Sequence, residues 1–426
     1  MEEDCEIGMG TSCPSEAYGV KWILLGLFLG TKSEGYDTTL EEAHLAVAKA
    51  GDDNFSAALY KAVSSDPGNT VMSPFSVETL MTLLWMGASG ETANELARCL
   101  HLPKNRHQEE NGFKYILSTL KSTETMTIDF VNKIYLQDGF KLKATFRQIA
   151  VNSFRSDAEE VNFVKAPEEA RANINKWVER KTRDKINDLL APGSLTADTR
   201  LLAVNAIYFR GGWLKPFNES DTYLEPFYTS PYTSVNVSMM HQTEYFYHGQ
   251  IPELGAQALK LYYRVSMEDL SYENSSMSML ILIPDAVDGL TALEDKIVFF
   301  NLSQISSYLS SAQISLSVPK FTVRSTLKLV DSLKQLGISK VFGPGAELSG
   351  ITDEPVYIND VVQKVFIEVA EKGTEAAAVT FTELVNYFGA PPTELKVNRP
   401  FLFLVVDEPS EAVLFMGRVV HPDVSE

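Results

Sequence analysis

The sequence predicts an α+β protein built as one large domain, and three observations carry that reading. Helical and strand-like periodicities are interspersed from about Asp52 onward, helices dominating early and strands late, without the regular alternation of a βαβ array. No stretch rich in Pro, Gly or Ser divides that region, and no internal repeat is visible. The chain has 426 residues, 45% hydrophobic and 22% charged, enough to bury a sizeable core.

The elements follow in chain order. Asp53 is placed to cap a helix that carries Phe55, Leu59 and Val63 on one face. Ser73-Pro-Phe-Ser76 opens an apolar helix through Leu80, Leu83, Leu84 and Met86, which stops near Gly87. Thr127 to Leu136 reads as a strand. Pro167 to Leu190 reads as one long polar helix with Ile174, Trp177, Val178 and Ile186 as its buried stripe. Further strands are expected over Leu201 to Phe209, Met277 to Ile283, Ile314 to Val318 and Phe401 to Val406. Leu327 to Leu336 reads as a helix ended by Gly337, a residue that accepts left-handed angles at little cost.

Residues 1–35 read as a leader. Their apolar core, Trp22 to Gly30, is too short for a membrane span of about 20 residues and fits the core of a signal peptide. Its upstream flank is acidic (Glu2, Glu3, Asp4, Glu6 and Glu16), whereas such leaders usually begin basic. Residues 36–51 follow as an N-terminal extension, and 52–426 form the domain. The expectation is a secreted, extracellular chain with no stable membrane span. Cys5 and Cys13 would leave with the leader, so Cys99 alone remains and no internal disulfide can form. Sequons begin at Asn54, Asn218, Asn236, Asn274 and Asn301, each a candidate for glycosylation after export.

A formal charge of -19 argues against nucleic acid as a partner, because that binding rests on neutralising phosphates with Lys and Arg. The densest basic runs, Lys104-Asn-Arg106-His107 and Lys176 to Lys185, read as solvated helix faces. Enzyme signals are weak: the sequence holds no nucleophile elbow, P-loop, zinc-protease helix or dinucleotide glycine pattern. His44, His101, His107, His241, His248 and His421 are scattered without metal-ligand spacing, so no metal is expected. Cys99 with His101 lies in an apolar run ending a helix, which suits a buried structural thiol. The chain is therefore not expected to be an enzyme.

The most unusual stretch runs from Glu371 through Glu-Lys-Gly-Thr-Glu-Ala-Ala-Ala-Val-Thr-Phe-Thr to Tyr387-Phe388. In an extended chain, side chains alternate faces. One face then carries only the small residues Thr374, Ala376, Ala378, Thr380 and Thr382, and the other carries Glu375, Ala377, Val379, Phe381 and Glu383. Gly373 supplies a pivot just before it. Glu-Ala-Ala-Ala is also good helix chemistry, so periodicity alone leaves helix, loop and latent strand open.

Glu371-Lys-Gly-Thr-Glu-Ala-Ala-Ala378 closely resembles the hinge of the serpin family, the trapping inhibitors of serine proteases. Four further motifs resemble that family in the same order: Ser73-Pro-Phe-Ser76, Asn205-Ala-Ile-Tyr-Phe-Arg-Gly211 with Trp213 and Phe217, Asn398-Arg-Pro-Phe401, and Phe415-Met-Gly-Arg418 with Pro422. Together they cover about residues 52 to 422. The resemblance implies about nine helices packed on three β-sheets, a metastable five-stranded main sheet, and an exposed reactive loop over 371–397. It implies a monomer without cofactor that acts as a suicide substrate: a protease cuts the loop, and the loop enters the main sheet before the acyl-enzyme can hydrolyse. The alternative is a non-inhibitory serpin acting as carrier, storage protein or chaperone.

Residue roles implied by the resemblance follow position by position. Glu371, Gly373, Thr374, Ala376, Ala377 and Ala378 form the hinge. Ser73, Ser76 and Asn205 form a polar shutter beneath the sheet, joined by Gln363 where many serpins place a histidine. Trp213 and Lys320 sit at the breach where the loop enters, Lys320 as the partner of Glu371. Counting 16 positions from Glu371 puts the scissile bond at Tyr387-Phe388, while counting back from Pro400 lands nearer Gly389, so Leu384 and Phe388 remain alternatives. Tyr before the bond implies a serine protease with chymotrypsin-like specificity. From Thr374 to Tyr387 the extended chain would reach roughly 46 Å, at about 3.3 Å per residue.

Overall fold

The computed structural model describes residues 55–264, 266, 275–371 and 391–422. Asp53, expected as a cap, lies outside them. Helix α1 (residues 55–63) buries Phe55, Leu59 and Tyr60. After the short strand β1 (Thr70–Met72), helix α2 (Pro74–Gly87) begins where the sequence places it: the Ser73 side chain accepts from Ser76 N, and Pro74 fills a first-turn position that needs no N–H. Every residue of α2 except Met86 is buried, so this helix is enclosed on all sides rather than laid on a surface. It ends at Gly87, whose Cβ position lies 2.4 Å from Ile351 Cγ1, too close for any side chain.

Helices α3 (Gly90–Cys99) and α4 (Arg106–Thr119) are followed by strand β2 (Met126–Gln137), helix α5 (Ala144–Ser153) and strand β3 (Ser156–Val161). Helix α6 (Pro167–Lys181) is shorter than the sequence predicts. At Thr182 the side chain donates to Val178 O (2.9 Å) and accepts from Ile186 N (3.2 Å), and Arg183 and Asp184 take positive φ (52° and 60°). These local bonds end the helix. Ile186, Leu189 and Leu190 still reach the same core from a loop, held where Asn175 Nδ2 donates to Leu190 O and Leu190 N to Asn175 Oδ1, both at 2.9 Å.

Two hydrogen-bonded sheets organise the rest. The five-stranded sheet has the order β10 (Phe321–Lys328), β11 (Asp360–Val369), β4 (Leu201–Gly211), β2, β3. Its central pair, β11 and β4, runs parallel, with antiparallel β10 and β2 outside it. The nine-stranded set runs β1, β14 (Val413–Val419), β13 (Phe401–Asp407), β8 (Met277–Pro284), β7 (Ala256–Tyr262), β6 (Thr233–Ile251), β9 (Ser310–Pro319), β12 (Thr393–Lys396), with β5 (Thr222–Ser230) also on β6. Three sheets become two connected sets because β6 is long: Thr233 to Met240 pair with β5, and Tyr247 to Ile251 pair with β7. Helix α7 (Leu290–Ile297) packs against β8. Helix α8 (Val330–Gln335) starts later than expected, because Leu327 and Lys328 complete β10 opposite Gln363 and Val362. Gly337 closes it at φ 93°.

One buried acid stands apart from this packing. Glu109, in the first turn of α4, is 3% exposed and its Oε2 has no hydrogen-bond partner. Burial pushes its carboxyl up to about 7. The folded chain therefore holds a proton there that the unfolded chain releases at a lower pH. Stability from this site is full below about pH 4.5 and is lost as pH rises through 7. Glu109→Gln is expected to raise stability at pH 8 by about 1–3 kcal/mol and to leave it unchanged at pH 4. Urea denaturation of both proteins at the two pH values checks this, and equal gains at both would remove the titration argument.

Candidate functional site

The β11–β4 pairing sets Gln363 opposite Asn205, and the β2–β4 pairing sets Asn205 opposite Asn132. Three amide side chains thus form one row across the middle of the five-stranded sheet, all of them buried. The start of α2 meets this row from below. Gln363 Nε2 donates to Asn205 Oδ1 (2.7 Å) and to Ser73 O (3.0 Å), while Ser73 N donates to Gln363 Oε1 (3.0 Å). Asn205 Nδ2 makes short contacts with Ser76 Oγ and Asn132 Oδ1. Ser73 Oγ donates to Leu414 O (2.6 Å), which ties the row to β14.

The structure therefore brings Ser73, Ser76, Asn205 and Gln363 into one fully buried network. Glutamine donates and accepts there as a neutral histidine could, without carrying a titrating proton. The sequence reading missed Asn132. Its signal was an amide in the middle of the apolar alternation of β2, a polar group that burial obliges to find partners.

At the end of β11 a second cluster holds the backbone before it leaves the described residues. Trp213 Nε1 donates to Ala370 O (2.9 Å), and Phe217 N donates to Glu371 O (3.1 Å). Lys320, the residue between β9 and β10, pairs with Glu371 Oε2 at 2.9 Å. Burial works against the charge on Glu371, but the hydrogen bonds from Lys320 and the backbone outweigh it and hold the carboxyl below its ordinary range. Trp213 is fixed in turn by stacking on Tyr263, with ring centroids 4.6 Å apart and an interplanar angle of 13°. The clasp thus draws on the segment after β4 and on the β9–β10 corner at once.

The stretch that follows lies outside the described residues, and with it Gly373, Thr374, Ala376, Ala377, Ala378 and the Tyr387-Phe388 bond. Description resumes at Pro391. Thr393–Lys396, inside the span expected to be loop, form β12, paired parallel to β9. Of the sequons, Asn218, Asn236 and Asn301 are exposed, while Asn54 and Asn274 fall outside the described residues. Cys99 is buried at the end of α3. Among the described residues no group of His, Cys, Asp and Glu could hold a metal, and no helix is long and apolar enough to cross a membrane.

A family model described as Serpin (serine protease inhibitor) matches residues 50–422. Iris of Ixodes ricinus is 35% identical over 384 residues, which is 86% of this chain and 97% of Iris. Serpin48 of the insect Tenebrio molitor, a solved structure described as a highly specific serpin, matches with a TM-score of 0.77 at 32% identity, covering 92% of this chain and 100% of that one. Human thyroxine-binding globulin matches with a TM-score of 0.79 at 25% identity, covering 90% and 100%. The chain belongs to the serpin family.

Proposed function

We propose that this serpin is an exported inhibitor that traps a chymotrypsin-like serine protease, cleaved near Tyr387-Phe388, by inserting residues after Glu371 between β11 and β4. One observation carries the reading: β11 pairs parallel with β4 across a polar row, and the sequence that follows β11 would present a wholly small face if extended. A strand that reverses from β11 into that seam runs antiparallel to both neighbours. One parallel ladder is then exchanged for two antiparallel ones, each slightly more stable per residue.

Register follows from the reversal. A two-residue turn at 371 and 372 sets Thr374 beside Val369 and Thr380 beside Gln363. Insertion parts Gln363 from Asn205 by two strand spacings, about 4.8 Å each. The Thr380 hydroxyl then falls between the two amides and can bond to both, where an alanine would leave Asn205 Oδ1 without the partner it loses. The protease serine forms an ester with the Tyr387 carbonyl as the bond to Phe388 breaks. Insertion carries that ester to the far end of the sheet, and deformation of the protease stalls its hydrolysis.

Incubation with chymotrypsin tests the reading. The expected result is a complex that survives denaturing gel electrophoresis, a released fragment beginning at Phe388, and a cleaved form that melts well above the intact one. The match to thyroxine-binding globulin favours the second reading, a serpin that carries a ligand and does not trap. Simple cleavage, without complex and without a gain in heat resistance, would decide for that reading.

A further inference from the structure

Phe299 is 91% exposed in the turn after α7, with its N–H bonded to Lys296 O at 3.0 Å. The flat apolar face of that ring is open to solvent and available for stacking. From Phe299 to Ser303 exposure alternates: Phe299, Asn301 and Ser303 face out, while Phe300 is half-buried and Leu302 buried. Asn301 is extended (φ -75°, ψ 108°) and caps the short 3-10 helix Leu302–Tyr308, and both it and Phe299 are open to solvent.

Asn301-Leu-Ser303 is also a sequon, and its amide is already oriented. Asn301 Oδ1 accepts from Ser303 N (3.1 Å) and Ser303 Oγ (2.7 Å), which aims Nδ2 at solvent. We propose that Asn301 carries an N-linked glycan whose first sugar lies on the Phe299 ring. The inference rests on export. The transfer forms a bond from Nδ2 to the anomeric carbon of a lipid-linked pyrophosphate oligosaccharide. The C–O bond to the pyrophosphate breaks, the lipid pyrophosphate leaves with the bonding pair, and the amide nitrogen gives up one proton.

Asn218 shares the cap geometry, its Oδ1 accepting from Ser220 N (3.2 Å), but neither it nor Asn236 has an aromatic ring two places ahead. Asn236 follows Ser234 at the same spacing, and Asn218 follows Pro216. Asn274 has Tyr272 two places ahead but lies outside the described residues.

Secretion of the full chain from cultured insect cells, followed by peptide mapping after glycosidase treatment, reads occupancy at each sequon. The same chain with residues 1–35 replaced by a borrowed secretion leader separates local chemistry from export. Glycan at Asn301 in both supports the proposal. Glycan at Asn301 only behind the borrowed leader supports the local site and removes the export reading. An unmodified Asn301 in secreted protein overturns the proposal, whatever the other sequons carry. Phe299→Ala is expected to speed enzymatic release of the glycan from native protein about threefold or more, and Phe299→Tyr to restore protection. Equal release from all three would overturn the stacking.

Discussion

Thr374→Arg is expected to turn the inhibitor into a substrate: chymotrypsin still cuts the chain, but trapped complex falls at least about tenfold. The effect comes from order as well as burial. In the proposed register Thr374 would be the first inward-facing residue to enter beside Val369, so a guanidinium there would have to be desolvated before any later contact forms. Burying an unpaired charge costs several kcal/mol or more, and here that cost falls on the barrier. Meanwhile the acyl-enzyme hydrolyses at its ordinary rate. Glu375→Arg is the matched control, because its side chain belongs to the outward face. It should trap normally, and both variants should melt like the parent before cleavage, within about 0.5 kcal/mol. Equal trapping by the two arginine variants would remove the face assignment, and with it insertion in this register.

What could be read from the sequence divides along the range of the forces involved. Helix α2 was legible from both ends because Ser73, Pro74 and Gly87 are local signals with local causes. The strands β4, β8 and β13 announced themselves as apolar runs that need no partner to be recognised. The end of α6 was not, since Thr182 and Asn175 act through bonds that a stripe of apolar residues does not reveal. Leu327 and Lys328 went to β10 for a similar reason: their pairing with β11 outcompetes a helical stripe that is equally visible. Long-range register was silent altogether. Nothing local places Gln363 beside Asn205, 158 positions apart, or joins Asn132 to them. Family resemblance supplied four of the five residues in that network, and pairing supplied the fifth. Lys320 and Glu371, 2.9 Å apart, are a charge pair that only the resemblance anticipated.

Asn205→Leu is expected to cost the intact protein about 3–5 kcal/mol, a large part of an ordinary domain's stability. Leucine is close in volume, so the loss is polar rather than steric. It takes one of two acceptors from Gln363 Nε2, which keeps only Ser73 O, and removes the donor shared by Ser76 Oγ and Asn132 Oδ1, which keep only each other at 3.4 Å. Buried groups left without partners each cost about 1–3 kcal/mol. Gln363→Leu should cost a similar amount by stranding Ser73 N and Asn205 Oδ1. Because each single change strands the other residue, the double variant is expected to lose less than the sum, by about 1–2 kcal/mol. Denaturant unfolding of the four proteins gives that coupling directly. A second cycle on the cleaved form separates the fold from the mechanism. If Thr380 enters between the two amides, their direct bond is gone after cleavage, and the pair should couple more weakly than in the intact chain. Undiminished coupling after cleavage would mean that Gln363 and Asn205 never parted, and that the cut segment does not pass between them.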